Sequence, residues 1–147
     1  MYQNVFATLF AVALPVLLAI PAAATNPFFA FDNGVGRGSW TPTQQAETLA
    51  ELGYDGIGYT GFEDLENRRA AFDAAGLDIF NLYVGCNLDD GTTVAADFAA
   101  KIASLKGSDI TLWLTVQGGT PGEDDDKAVA LVSQIGQLAE DAGIEVA

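Results

Sequence analysis

Histidine is absent from the 147 residues, and cysteine occurs once, at Cys86. The first absence removes the side chain most used as a general base and metal ligand near neutral pH. A Ser-His-Asp triad and a histidine-based zinc site are therefore excluded within this chain. The lone cysteine excludes an intrachain disulfide. Basic residues are scarce, 6 against 20 acidic, which leaves a net charge of −14. A surface of that sign repels nucleic acid and anionic lipid, so neither is expected as a partner. An apolar run of membrane-spanning length is lacking too. The stretch from Val5 to Ile20 is interrupted by Thr8 and Pro15 and falls short of the ~20 residues a spanning helix needs.

What stands at the N-terminus is "MYQNVFATLFAVALPVLLAIPAAATNP". The small residues Ala22 to Ala24 suit a cleavage site, and the segment reads as a secretory signal peptide, residues 1–24, cut after Ala24. Its first residues carry no Lys or Arg, and a short membrane anchor is the alternative. Export places the mature chain, 25–147, in a secreted or periplasmic setting, with no stable membrane insertion after cleavage. With 50% hydrophobic residues the chain suits one ordinary domain.

The mature part alternates between two kinds of segment. Apolar runs at 27–34, 54–61, 77–88 and 109–119 are expected to be strands. Amphipathic stretches at 41–53, 63–76, 93–107 and 124–143 are expected to be helices. The first helix has Thr41 as N-cap, Pro42 at its first position and Gln44 completing a capping box. Its inward face is read as Ala46, Leu49, Ala50 and Gly53. The later helices turn Leu65, Phe72 and Ala75, then Val94, Phe98, Ile102 and Leu105, then Ala128, Leu131, Val132, Ile135, Leu138 and Ala142 inward. Each helix ends in glycine, which supplies the left-handed residue that closes a helix. The strand runs are nearly continuous in apolar residues, the pattern of parallel strands covered by helices. "IEVA" at 144–147 would begin a fifth strand. The expected class is α/β, with four βα units and the start of strand five. Strand starts near 28, 55, 78, 109 and 144 recur at roughly the 31 residues per unit of an eight-unit barrel. A doubly wound sheet has similar units.

Several stretches carry a family resemblance. "NPFFAFDNGVGRGSWTPTQQAETLAELGYDGIGYTG" resembles the opening of the sugar phosphate isomerase/epimerase family, the xylose isomerase-like TIM barrels. "AAFDAAGLDIFNLYVG" is similar to its second helix and third strand, and "EDAGIEVA" to the helix and strand after its fourth unit. The resemblance implies a partial TIM barrel over 25–147, the N-terminal half of the complete fold. It implies metal-assisted isomerisation or epimerisation of a sugar or sugar phosphate by the complete barrel. It also implies a divalent metal held by Glu, Asp and His, mostly from later strands, with none bound by this chain alone. The chain is expected to be an inactive fragment that can self-associate through open barrel edges. A secreted, non-catalytic module that binds carbohydrate or a protein partner is the alternative.

Barrel sites form at the C-terminal ends of the strands. That selects Asp32 and Asn33 after the first strand, Tyr59, Thr60 and Glu63 around the end of the second, Asn87 after the third and Gln117 after the fourth. They are expected as substrate contacts rather than metal ligands, against ordinary turn and cap chemistry for the same residues. "GVGRG" (34–38) is expected to be a flexible surface loop, with Arg37 as a phosphate grip the alternative. As a dinucleotide fingerprint it fits poorly, because "SW" intervenes before the helix cap at Thr41. "GEDDDK" (122–127) suits a solvated helix start, and "NLDDG" (87–91) lacks the remaining ligands of a calcium loop. Cys86 is expected to be a small buried apolar residue, and Trp113 and Phe80 are expected in the core. Trp40 is expected as a hydrophobic anchor, with packing on a sugar face as the alternative.

Overall fold

The computed structural model describes residues 26–91 and 96–147. The expected signal peptide, with its cleavage point at Ala24, lies outside the described residues, as does Val94 with the first turn expected for the third helix. The elements are β1 (Phe29–Phe31), α1 (Pro42–Glu51), β2 (Gly56–Thr60), α2 (Leu65–Ala75), β3 (Asp78–Asn87), α3 (Ala96–Ala103), β4 (Thr111–Gln117) and α4 (Asp125–Ala142). Short 3-10 turns follow β1 at Asp32–Gly34 and β3 at Leu88–Asp90.

Local chemistry sets the helix ends. Thr41 Oγ1 accepts from Gln44 N at 3.2 Å, and Gln44 Oε1 accepts from Thr41 N at 2.9 Å. That reciprocal pair satisfies two amides at the open end of α1. Gly76 and Gly143 close α2 and α4 at φ of 70° and 71°, where a side chain would be strained.

The four strands are parallel and lie in chain order, β1-β2-β3-β4. A doubly wound sheet reverses direction after its first strands; this one does not. Residues 145–147 continue the progression on the far side of β4. Leu112 N donates to Glu145 O at 2.8 Å, Ala147 N to Leu112 O at 2.8 Å, and Val146 bridges Leu112 in parallel. The result is a singly wound, partial (β/α) barrel wall with the first residues of a fifth strand.

One sheet face is covered by helices. Ile57, Tyr59, Leu82 and Leu112 point into that layer, where they meet Leu49, Phe72, Ile102, Leu105 and Ile135. Side chains alternate along a strand, so the neighbours of these residues face the other way. Trp113 is 41% exposed there, and Phe80 is only half-buried, so neither joins the helix-side core. Both belong to an aromatic row on the opposite face. Three helix-face assignments also change: Ala50, Gly53 and Val132 are exposed, while Gln45 and Ala139 are buried. In α1 the stripe rotates because the Gln45 amide is used inside. Its Nε2 donates to Val35 O at 2.7 Å, and its Oε1 accepts from Tyr59 Oη at 2.6 Å.

The aromatic row exists because β2 leaves room for it. Gly56 and Gly58 present no side chain on that face. Phe31 therefore reaches across β2 to Tyr83 on β3, 5.3 Å between ring centroids, and Phe29 reaches Phe80 at 5.1 Å. Tyr83 in turn stacks on Trp113 at 4.7 Å.

Candidate functional site

The C-terminal ends of β1 and β2 meet through Asp32. This residue directly follows β1 and is 2% exposed. Oδ2 accepts from Thr60 N and Oδ1 from Thr60 Oγ1, each at 3.0 Å. Arg37 Nη1 donates to Thr60 Oγ1 at 2.6 Å and lies 3.5 Å from Asp32 Oδ1. A cation, a hydroxyl and a carboxylate thus form one row along the rim. The loop that carries Arg37 is closed on itself: Arg37 N donates to Asp32 O, and Ser39 N and Trp40 N both donate to Gly36 O. The amides of Val35, Arg37, Ser39 and Trp40 are thus spent within the loop. Trp40 packs over Gly36 and stays partly exposed.

Beside this row is an open pocket of about 510 Å³. Asp32, Asn33 and Thr60 form one side, Thr115 and Gln117 the other, and Phe31 and Tyr83 the apolar wall. A second pocket of about 700 Å³ adjoins it, sharing Thr60, Tyr83, Val84 and Gly85. Arg37, Glu63, Arg68 and Lys101 line the second. Polar groups above an aromatic wall suit a ligand with hydroxyls on one side and C–H bonds on the other.

Of the residues selected from the sequence, Asp32, Asn33 and Gln117 line the first pocket, and Arg37 and Glu63 the second. Tyr59 is placed elsewhere. It is 1% exposed and faces the helices, its ring edge-on to Phe72 and its hydroxyl bonded to Gln45. Strand parity puts it with Ile57 rather than with Thr60. Burial pushes its phenol up to about 12, with Arg68 opposing the shift. Asn87 serves the turn after β3: its Oδ1 accepts from Asp89 N at 3.1 Å. It lines neither pocket.

Phe31, Tyr83, Thr115 and Arg68 also belong to the pockets and are not selected by strand-end position alone. For the strand residues the available signal is parity: Tyr83 and Thr115 alternate with Leu82, Val84 and Leu114 along their strands. For Arg68, an arginine on an exposed-looking helix, the sequence carries no signal.

Other candidates resolve into structure. Asp124 Oδ2 accepts from Thr120 N at 2.7 Å, and Lys127 pairs with Asp124 and holds its carboxyl below the usual range. Asp125 Oδ1 accepts from Gly122 N at 2.9 Å. These acids shape the turn that opens α4. Cys86 is half-buried, and burial pushes its thiol up, away from the thiolate a nucleophile needs.

Among the described residues the strand-end carboxylates are not gathered as a metal set. The Asp32 oxygens are engaged by Thr60 and Arg37. Among the described residues no three His, Cys, Asp or Glu side chains converge on one point. No helix among the described residues is long and apolar enough to cross a membrane. Compared with known proteins, the chain matches no family model, no curated sequence and no solved structure.

Proposed function

We propose that the strand ends form a carbohydrate subsite in a protein of the sugar phosphate isomerase/epimerase type. The supporting observation is the first pocket: an aromatic wall of Phe31 and Tyr83 facing the Asp32–Thr60 pair, at the end of a parallel sheet where barrel sites form. In this proposal Asp32 and Thr60 orient sugar hydroxyls, Asn33 and Gln117 add amide contacts, and the Tyr83 ring covers a C–H face of the sugar. The isomerase assignment rests on the sequence resemblance and is an analogy of fold. Metal-assisted isomerisation would belong to a complete barrel, in a secreted or periplasmic setting, with this chain contributing substrate contacts.

A second proposal, a secreted binding module that does no chemistry, is favoured by one observation. Asp32, the buried carboxylate at the pocket, is already hydrogen-bonded on both oxygens, a setting that suits holding a ligand hydroxyl better than taking its proton.

Titrating the full chain with D-glucose and D-xylose while following Trp and Tyr fluorescence tests the site. Saturable binding that weakens in Tyr83→Ala supports it; sugar-independent signals in both proteins refute it. Incubation with sugar and Mg²⁺ or Mn²⁺, read by NMR, separates the two proposals. An interconverted sugar supports the enzyme, and binding without turnover supports the module.

A further inference from the structure

A buried polar network lies outside both pockets and ends on the loop that serves them. Its centre is Gln45 on α1, 4% exposed and lining neither pocket. A glutamine amide that deep is costly unless both of its ends are met. Here both are, by Val35 O at 2.7 Å and by Tyr59 Oη at 2.6 Å. A carbonyl oxygen only accepts, so the amide must turn its N–H toward Val35 and its oxygen toward Tyr59. The bridge joins two parts of the rim. Tyr59 precedes Thr60 on β2, and Val35 lies two residues from Asn33 and two from Arg37.

The far end of the bridge is fixed. The Tyr59 ring stands edge-on to Phe72, with the Arg68 guanidinium carbon 4.2 Å from its centroid. The loop end needs such a fixture. Its backbone bonds run from Val35 N and Arg37 N to Asp32 O and from Ser39 N and Trp40 N to Gly36 O. These give the loop a shape but do not seat that shape on the body of the protein. Among the described residues two hydrogen bonds tie residues 33–40 to other helices or strands. Arg37 Nη1 reaches Thr60 Oγ1 at 2.6 Å, and Gln45 reaches Val35 O. The first lies at the pockets, on a half-exposed side chain that a ligand would disturb. The second comes from beneath, out of a ligand's reach. Val35 is 6% exposed, so its side chain anchors the loop in the core. The Gln45 bond adds direction: it orients the peptide that leads into Gly36, where the chain turns at φ 66°.

We infer that Gln45 is a positioning residue for the candidate site, setting through Val35 where Asn33 and Arg37 stand without touching a ligand itself. Tyr59, expected from the sequence to contact substrate, acts one step further back by holding the Gln45 amide in register. The inference rests on the carbohydrate proposal for the ligand, but the placement of the loop is a property of the chain alone.

Amide hydrogen exchange of the full chain, read by NMR beside titrations with D-glucose and D-xylose, tests it. Gln45→Met keeps length and buried volume but offers no N–H to Val35. The amides of Arg37, Ser39 and Trp40 should exchange several-fold faster in this variant, and sugar affinity should fall about fivefold, as one lost hydrogen bond gives. Ile135→Val, a core change on α4, controls for lost stability. It should leave both the loop exchange and the affinity at wild-type values. Tyr59→Phe keeps the bond to Val35 and should lie between wild type and Gln45→Met, and it carries the test if Gln45→Met fails to fold by circular dichroism. Unchanged loop exchange in the folded variant overturns the inference. So does faster exchange with undiminished affinity, or an Ile135→Val protein that matches Gln45→Met in both readouts. Failure of the carbohydrate proposal looks different: the wild type would bind neither sugar, and the exchange comparison alone would then decide whether Gln45 sets the loop.

Discussion

Asp32 and Thr60 join β1 to β2 at their C-terminal ends by two hydrogen bonds, one from the Thr60 amide and one from its hydroxyl, each 3.0 Å long. The pair does structural and recognition work together. It closes the sheet where backbone pairing between the two strands stops, and it fixes the polar side of the first pocket. Hydrogen bonds to an ionised acceptor contribute about 1.5–3 kcal/mol each. Asp32→Asn keeps the shape but removes the charge and turns one acceptor into a donor facing the Thr60 amide or hydroxyl. We expect a loss of about 2–3 kcal/mol in urea denaturation, together with weaker sugar binding. Thr60→Val, which loses only the hydroxyl bond, should cost about 1 kcal/mol. Wild-type stability in Asp32→Asn would show that the pair is not a structural joint.

Tyr59 predicts an alkaline limit to stability. Its phenol is pushed up to about 12 by burial, against an ordinary 10.0 in the unfolded chain. Between those two values the unfolded chain loses its proton first, so the folded state is disfavoured as pH rises. The stabilising contribution is complete below pH 10 and is lost on the way to 12. Tyr59→Phe forfeits the bond to Gln45, about 1 kcal/mol at neutral pH, but it should flatten the stability profile above pH 10. Thermal denaturation from pH 8 to 11 compares the two. A slope that persists unchanged in Tyr59→Phe assigns the effect to another group.

Helix ends and strand class are legible in this sequence because each carries its own chemistry. Thr41 with Gln44 marks a cap, the glycine after each helix marks a stop, and near-continuous apolar runs mark parallel strands. Asp32 is legible as a candidate because a carboxylate directly after an apolar run lands at a strand end. The faces are harder. In "TLWLTV" one parity, Leu112, Leu114 and Val116, is wholly aliphatic and the other, Thr111, Trp113 and Thr115, is mixed, so the faces separate only when parity is read before the size of a single side chain. Tyr59 misleads for the same reason, since its hydroxyl suggests the pocket while its parity places it with Ile57. Arg68 is invisible, because one arginine of a pair on a helix looks like solvated charge until Tyr59 is seen beneath it.

The aromatic row makes β2 intolerant of added side chains. A Cβ at Gly58 would overlap Asn81 Oδ1 and lie 3.1 Å from the Phe31 ring. At Gly56 it would run into the carbonyl of Asp78 and lie 2.8 Å from Phe80. A side-chain amide can rotate, but a paired strand backbone cannot. Gly56→Ala is therefore expected to cost more than Gly58→Ala, with the former in the ~1–3 kcal/mol range of overpacked cores or beyond it. Gly58→Ala should also change the near-UV signal of Tyr83 and Trp113, because it displaces Phe31 from between the strands. Equal costs at the two glycines would mean that the β2–β3 backbone yields as readily as a side chain.

The β1 edge of the described sheet predicts self-association. Among the described residues β1 pairs with β2 on one side only. An unpaired strand edge is a template for another strand unless charge or cover blunts it. Beside β1 stands Phe28, 62% exposed and stacked on Tyr54, which adds apolar area where an edge strand is usually protected. A second apolar surface lies on α4, where Val129 and Val132 are exposed. Light scattering after size-exclusion chromatography should show mass rising with concentration. Phe28→Lys is expected to suppress that rise, whereas Val129→Lys should leave it intact if the strand edge is the contact. The opposite pattern moves the contact to α4, and constant monomer mass at every concentration rejects association through either surface.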